Sequence, residues 1–128
     1  MRELSKTLIS VVDDDESVRR ALKRLLVSSG FTAEVFSSAQ KFLNSAHLLD
    51  TGCIILDVQM PGMSGLELQS HLAAAGYHIP IVFHASHLND RVREQALQGG
   101  AVAVLRKPAT DQDLLAAIES AVKLRDQD

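Results

Sequence analysis

Three short apolar runs in this chain of 128 residues each end in charged residues, and this placement limits the possible fold more than any other feature. The runs and the charges after them are 7–12 with Asp13 and Asp14, 53–56 with Asp57, and 101–105 with Arg106 and Lys107. Short apolar runs between turns are typical of buried parallel strands, whose carboxyl ends meet at one edge of an open α/β sheet. We therefore expect three carboxylates and one ammonium group to lie together at that edge.

The rest of the chain alternates between strand-like and helix-like patterns. Two further apolar runs, at 31–36 and 80–84, complete a set of five, and each run is followed by apolar residues at helical spacing. Polar residues that can cap a helix stand before these segments; Ser64 and Glu67, for example, form the pattern of a capping box. Alternating strands and helices with right-handed crossovers predict a parallel sheet that helices cover on both faces.

Size, charge and cysteine content exclude several classes of protein. A mass of 13.9 kDa fits one domain, 1–128, and the single Cys53 lies inside an apolar run, as in a buried thiol of a reducing compartment. A net charge of −3 argues against direct nucleic acid binding, which needs a concentrated basic face. Met1-Arg2-Glu3 is not followed by a signal-peptide core, and no run reaches membrane-spanning length. We expect a cytoplasmic domain without membrane attachment.

The charged strand ends favour a divalent cation, although a single aspartate at such a position is often only a helix cap. Two unit charges about 4 Å apart interact by roughly 4 kcal/mol near a protein surface, so three clustered carboxylates need compensation. Ligands that are all oxygens suit Mg²⁺, and Mn²⁺ could replace it. If Asp57 accepted a phosphoryl group, a cation on Asp13 and Asp14 together with Lys107 would neutralise most of the added charge.

Three segments of the sequence resemble the receiver domains of bacterial two-component response regulators. They are VVDDDE at 11–16, LDVQMPGMSG at 56–65 and GAVAVLRKP at 100–108, in the family's order and spacing. The resemblance covers essentially the whole chain. It implies a flavodoxin-like, doubly wound α/β fold: a five-stranded parallel sheet of order 2-1-3-4-5 with five helices and the site at the topological switch point.

The resemblance also implies a role for each residue at the charged edge. Asp57 would be the phosphoacceptor for the phosphohistidine of a sensor histidine kinase, and Lys107 would grip the phosphoryl group. Asp14 and Asp57 would bind Mg²⁺ directly. Asp13 would bind it through water, and the backbone carbonyl of Gln59 would complete the protein ligands.

Both positions that carry the conformational switch in this family hold other residues here. Ala85 occupies the place of a Ser or Thr hydroxyl that turns toward the phosphoryl group, and Val104 occupies the place of a mobile aromatic ring. Ser86 follows at a position whose backbone amide contacts the phosphoryl group in the family. Two interpretations remain: output by another route, such as Ser86 or displacement of the fourth helix, or a weakly switching or constitutive protein-interaction receiver.

Two histidines and a proline near the expected site need separate interpretation. A pair such as His84 and His87 could hold a transition metal, but strand and loop geometry does not obviously bring the two together. We expect His87 to border the site opposite Gln59, and both side chains to tune hydrolysis of the acyl phosphate. The resemblance implies a cis peptide bond before Pro108, against the general preference for trans.

Two other functions fit parts of the sequence. Asp13, Asp15 and Ser17 resemble the Asp-x-Asp-x-Thr/Ser signature of haloacid-dehalogenase-type phosphatases, with Asp13 as nucleophile and Asp15 as acid/base. The chain is short for such an enzyme, has no cap insertion and leaves Asp57 without a role. A flavin or nucleotide carrier would be repelled by the acidic loop at 13–16, which lacks the glycines or hydroxyls that cradle phosphate.

The expected output follows from the kind of receiver that the chain resembles. The segment VDDDESVR at 12–19 is most similar to receivers attached to helix-turn-helix transcription factors. The resemblance therefore implies regulation of transcription. A DNA-binding effector domain could follow residue 128, and a homodimer is possible. Such a domain is a phosphoacceptor and not an enzyme with a separate substrate.

Overall fold

The five predicted strands all form, and they lie in one parallel sheet of order β2-β1-β3-β4-β5. The computed structural model describes residues 7–126, so the expectation drawn from Met1-Arg2-Glu3 lies outside the described residues. The strands are β1 (Leu8–Val12), β2 (Thr32–Phe36), β3 (Thr51–Leu56), β4 (Ile81–Ala85) and β5 (Ala103–Arg106). The helices are α1 (Glu16–Ser28), α2 (Ala39–Leu43), α3 (Gly65–Ala74), α4 (Asp90–Gln98) and α5 (Asp111–Asp126), with a short 3₁₀ helix at Leu48–Asp50.

This strand order confirms the flavodoxin-like fold and fixes where a ligand can bind. β1 pairs with β2 on one side and with β3 on the other. The chain therefore leaves β1 and β3 in opposite directions across the sheet. The crevice beyond the carboxyl ends of these two strands is the topological switch point, where ligands bind in open α/β sheets.

The sheet is buried on both faces, which explains why its strands read as continuous apolar runs. Ile54 and Leu56 of β3 belong to one buried cluster, and Cys53 and Ile55 belong to the cluster on the opposite face. All four side chains are at most 1% exposed. Each such aliphatic side chain contributes about 1.5 to 3 kcal/mol to the free energy of unfolding.

Three strands begin one residue later than the sequence predicts, and two, β3 and β5, begin two residues away from the predicted start. β3 starts two residues earlier, at Thr51, because the Thr51 hydroxyl shares a 2.8 Å hydrogen bond with Ser10 and the Thr51 backbone pairs with Leu8. β5 starts two residues later, at Ala103, because the amide of Ala101 donates a hydrogen bond to the carbonyl of Ala96 at the end of α4. Both differences come from contacts that are distant in sequence or belong to a helix end.

Two local predictions, a capping box and a cis peptide bond, are confirmed. Ser64 and Glu67 exchange hydrogen bonds as a capping box at the start of α3. The peptide bond between Lys107 and Pro108 is cis. Within residues 7–126, no helix combines the length and apolar character needed to span a bilayer.

Candidate functional site

The sheet places Asp13, Asp57 and Lys107 side by side just beyond three of its strands. The amide of Asp57 donates to Val12 at 3.0 Å, and the amide of Lys107 donates to Ala85 at 2.9 Å, so the sheet hydrogen bonds continue into the site. Asp14 follows Asp13 directly. One carboxylate oxygen from each of Asp13, Asp14 and Asp57 lies within 4.8 Å of the others. The predicted convergence of charges is therefore present.

Lys107 bridges the two buried carboxylates. Its Nζ lies 2.7 Å from Oδ2 of Asp13 and 3.4 Å from Oδ2 of Asp57. Burial acts to lower the pKa of Lys107, but the hydrogen bonds and charges of both carboxylates outweigh it, and the net pKa is raised. The ammonium group is therefore charged and held at the centre of the site.

Asp57 is buried at the end of β3, and its charge is only partly compensated. One oxygen accepts a 2.8 Å hydrogen bond from the amide of Val58. Burial raises the pKa of Asp57, the charge of Asp13 raises it further, and Lys107 opposes both effects. This carboxylate therefore carries unfavourable charge that a further cation would relieve.

Asp13 is held in place by contacts on every side. Its Oδ1 accepts a 2.9 Å hydrogen bond from the amide of Asp15, while its Oδ2 meets Lys107. Its backbone carbonyl accepts a 2.8 Å hydrogen bond from the guanidinium of Arg19. Asp14 is exposed by contrast, so the cluster has two buried carboxylates and one that faces solvent.

These residues fit a hard divalent cation. Three carboxylates against one ammonium leave an excess of negative charge, and all the clustered ligands are oxygens. Carboxylate and carbonyl oxygens are the ligands that Mg²⁺ and Mn²⁺ prefer. Among residues 7–126, this is the only group of three or more potential metal ligands, and it includes neither His84 nor His87.

The carboxylates open into a cleft of about 230 Å³. Its walls contain Asp14, Asp15, Asp57, Gln59, Ala85, Ser86, His87 and Lys107. The structure therefore brings the predicted Gln59, Ser86 and His87 to the same cleft as Asp57. Pro108 instead faces a neighbouring groove beside α1.

The two expected switch positions lie on the same side of the sheet. Ala85 is 1% exposed and Val104 is 7% exposed, and both belong to the apolar cluster that α4 covers. The register pairs Phe83 with Val104 and Ala85 with Arg106. Ala85 brings a methyl group to the cleft wall where the family has a hydroxyl, and Val104 stays inside the core.

Asp15 is a cleft residue whose structural role the sequence interpretation missed. It caps α1 by accepting hydrogen bonds from the Ser17 amide at 2.8 Å and the Ser17 hydroxyl at 2.6 Å. These bonds lower the pKa of Asp15 and engage one carboxylate oxygen in the cap of α1. That result weakens the phosphatase alternative. An aspartate directly before an acidic first helical turn was the available signal.

His84 is a second surprise in this region. It lies on β4 next to Ala85 but on the opposite face, and it is 6% exposed. Within residues 7–126 neither of its ring nitrogens has a hydrogen-bond partner. Burial lowers the pKa of His84, the charge of Lys107 lowers it further, and Asp13 opposes the shift. The imidazole is therefore neutral near pH 7.

Comparisons with known proteins agree with this geometry. The family described as "Response regulator receiver domain" matches residues 9–119. Response regulator protein TmoT of Ectopseudomonas mendocina is 44% identical over 122 residues, which are 95% of this chain and 56% of TmoT. Transcriptional regulatory protein FixJ of Azorhizobium caulinodans is 40% identical over 114 residues, 89% of this chain and 54% of that protein. The chain thus spans a little over half the length of these relatives.

A solved structure gives the same result for the fold. The crystal structure of FixJ-N superimposes with a TM-score of 0.84 and is 33% identical in sequence. The match covers 96% of this chain and 96% of that one. Strand order, helix placement and the cleft therefore belong to a fold already known from a relative.

Proposed function

The chain belongs to the family of response regulator receiver domains, and from this premise we propose that it is the phosphoacceptor domain of a two-component system. A sensor histidine kinase donates the phosphoryl group, and Asp57 accepts it. One observation carries the proposal: the buried Asp57 carboxylate lies 3.4 Å from the Lys107 ammonium, inside a cluster of three carboxylates.

The transfer needs little covalent chemistry from the protein. A carboxylate oxygen of Asp57 bonds to phosphorus while the bond from phosphorus to the donor nitrogen breaks, which leaves an acyl phosphate. The main requirement is neutralisation of the charge that the phosphoryl group brings. Lys107 contacts Asp57 before the reaction, and we propose that it grips a phosphoryl oxygen afterwards.

Asp13, Asp14, Asp57 and the backbone carbonyl of Gln59 are the groups that would hold Mg²⁺, with Mn²⁺ as a substitute. When bound, the cation supplies positive charge next to the phosphoryl oxygens. The excess of negative charge and the raised pKa of Asp57 support this assignment. The family resemblance assigns Asp13 to an indirect position, through water, and its two carboxylate oxygens accept from the Asp15 amide and from Lys107.

The cleft walls supply the remaining contacts. The backbone amide of Ser86 would donate to the phosphoryl group, and the side chains of Gln59 and His87 would set the lifetime of the acyl phosphate by controlling access of water. All three residues line the cleft with Asp57. Ala85 and Val104 are degenerate switch positions, so the usual hydroxyl and aromatic ring do not carry the signal here.

We further propose that this domain, 1–128, regulates transcription in the cytoplasm through a DNA-binding effector domain and that it can form a homodimer. The support is that FixJ and TdiR, at 40% identity each, are named transcriptional regulatory proteins and are longer than this chain. The domain itself binds no nucleic acid and turns over no separate substrate. The alternative is a weakly switching or constitutive interaction module.

Labelling with a small phosphodonor tests the proposal directly. The protein is incubated with radiolabelled acetyl phosphate and Mg²⁺, alongside Asp57→Asn and the matched surface variant Asp50→Asn. We expect a hydroxylamine-sensitive label on the wild type and on Asp50→Asn, and none on Asp57→Asn or after removal of the metal with EDTA. Label that persists in Asp57→Asn, or that maps to Asp13, would overturn the assignment and favour a phosphatase-like site.

A further inference from the structure

We propose that Arg106 and Arg93 couple the cleft to α4 and β5 through hydrogen bonds to backbone carbonyls, in place of the missing hydroxyl and aromatic ring. This inference rests on the proposed function and concerns how the phosphorylated site communicates with the surface. The two arginines act as positioning residues. Neither of them lines the cleft.

Arg106 fixes the far end of the loop that follows β4. Its guanidinium Nη2 donates to the carbonyl of Leu88 at 2.9 Å. The amide of the next residue, Lys107, donates to the carbonyl of Ala85 at 2.9 Å. Two adjacent residues of one strand end therefore hold both ends of the segment 86–88.

That segment is part of the cleft wall. Ser86 and His87 lie between the two fixed carbonyls and line the cleft together with Asp57 and Lys107. Lys107 contacts Asp13 and Asp57 with its side chain. A shift of Lys107 toward a phosphoryl group that reaches its backbone also moves the adjacent Arg106, and the Arg106 bond passes this displacement to Leu88.

Arg93 connects the same region to α4. Its Nη1 donates to the carbonyl of Val104 at 3.0 Å, at the position where the family has its aromatic ring. Asn89, which directly follows Leu88, caps α4: its side-chain oxygen accepts a 2.8 Å hydrogen bond from the amide of Val92. The start of α4 is thus held from two sides: by Arg106 through the preceding loop and by Arg93 from the first turns of the helix.

The geometry of β5 explains why these two residues can act together. Side chains alternate along a strand, so residues 104 and 106 point to the same face of the sheet, and Val104 belongs to the cluster that α4 covers. Hydrogen bonds from charged donors are stronger than neutral ones. Both links are part-buried, which protects them from competition with water.

The response of backbone amides to a phosphoryl mimic tests the inference. Wild-type protein and the double variant Arg93→Met/Arg106→Met are titrated with beryllofluoride and Mg²⁺ and followed by NMR and amide hydrogen exchange. Arg91→Met is the matched control, because Arg91 is an exposed arginine of α4 that makes none of the described hydrogen bonds. Amides of residues 57–59 report on the cleft, and amides of residues 90–98 report on coupling.

In the wild type and in Arg91→Met, we expect the mimic to shift both sets of amides. In the double variant, we expect the cleft amides to respond while the change in exchange at 90–98 falls roughly tenfold, the order expected for loss of a charged hydrogen bond. The variants Arg93→Lys and Arg106→Lys keep one donor and should restore part of the response. If the double variant does not fold, the two lysine variants provide the test. A reduced response of the amides at 90–98 together with an intact response at 57–59 then supports the coupling role.

The failure of this inference differs from the failure of the proposed function. An undiminished response of α4 in the double variant, or a wild-type α4 that never responds, overturns the coupling role while the phosphoacceptor role stands. A wild type whose cleft amides do not respond to the mimic overturns the proposed function and the coupling with it.

Discussion

The carboxylate cleft and the neighbouring edge formed by α4 and β5 differ in what their residues must provide. The cleft holds each charged group that the family resemblance implies, in contact or within 4.8 Å. The edge lacks both expected switch residues and has arginine links to carbonyls instead. Charge neutralisation depends on particular groups at particular strand ends, whereas coupling needs only contacts that cross from one element to another. The second requirement therefore tolerates more substitution than the first.

The sharpest test of this difference uses two adjacent residues, one from each region. We expect Lys107→Met to slow phosphorylation by acetyl phosphate about 100-fold, because it removes a preorganised cation from the place where charge develops. Arg106→Met should slow it far less, since Arg106 lies outside the cleft and touches only the loop that carries Ser86. Initial rates of labelling at saturating Mg²⁺ make the comparison. Equal losses in the two variants would show that the cleft and the edge act as one unit.

A second test measures how far the buried charge of Asp57 lowers the free energy of unfolding. In the presence of EDTA, Asp57→Asn should raise the free energy of unfolding by about 1 to 2 kcal/mol at pH 7, since it removes a buried charge beside Asp13. The raised pKa of Asp57 gives the sign: the wild type loses stability relative to the variant as pH rises from 3.8 through the raised pKa. Urea unfolding between pH 3 and pH 8 measures the difference in free energy of unfolding between the variant and the wild type. A difference that does not change with pH contradicts the electrostatic cause.

Mg²⁺ supplies the control for the same pair of proteins. A ligand at ten times its dissociation constant stabilises the folded state by about 1.4 kcal/mol. Because the variant loses one of the carboxylates, Mg²⁺ should stabilise the wild type more than Asp57→Asn. The difference in free energy of unfolding between the two proteins should therefore become smaller. Equal stabilisation of both would place the cation elsewhere.

The edge region can be challenged by restoring the hydroxyl. In Ala85→Ser the new group lies in a buried position, and without a partner it should lower the free energy of unfolding by about 1 kcal/mol. Beryllofluoride with Mg²⁺ should recover most of that loss by accepting the hydroxyl hydrogen bond. Melting curves with and without the mimic, with Ala73→Ser on the exposed side of α3 as control, measure both changes. A loss that the mimic does not reduce would mean that the hydroxyl cannot reach the phosphoryl position.

The same two regions show what sequence could and could not predict. The parallel sheet, the capping box at Ser64 and the convergence of Asp13, Asp57 and Lys107 follow from local patterns combined with the rule on strand ends. The strand order follows only from the resemblance to receiver domains. The starts of β3 and β5 do not, because they depend on Thr51 meeting Ser10 and on the last turn of α4. Long side chains are a further limit: a guanidinium reaches across elements, so spacing along the chain does not reveal which carbonyl it meets.

His84 offers the smallest and most localised test, because it lies behind the cleft on the opposite face of β4. Both ring nitrogens are buried and unpartnered within the described part of the chain, so His84→Leu should raise the free energy of unfolding by about 0.5 to 1 kcal/mol at pH 7.5. Burial lowers the pKa of His84 from the ordinary 6.5. The unfolded chain therefore takes up the proton first, and the wild type loses stability as pH falls from 6.5 toward the lowered pKa.

The difference in unfolding free energy between His84→Leu and the wild type should accordingly grow between pH 7 and pH 5. His71→Leu, at an exposed position of α3, is the matched control. Urea unfolding at half-unit intervals of pH measures the two differences side by side. If instead His84→Leu destabilises the fold and also slows phosphorylation, then His84 supports Lys107 from behind, and the cleft depends on packing as well as on charge.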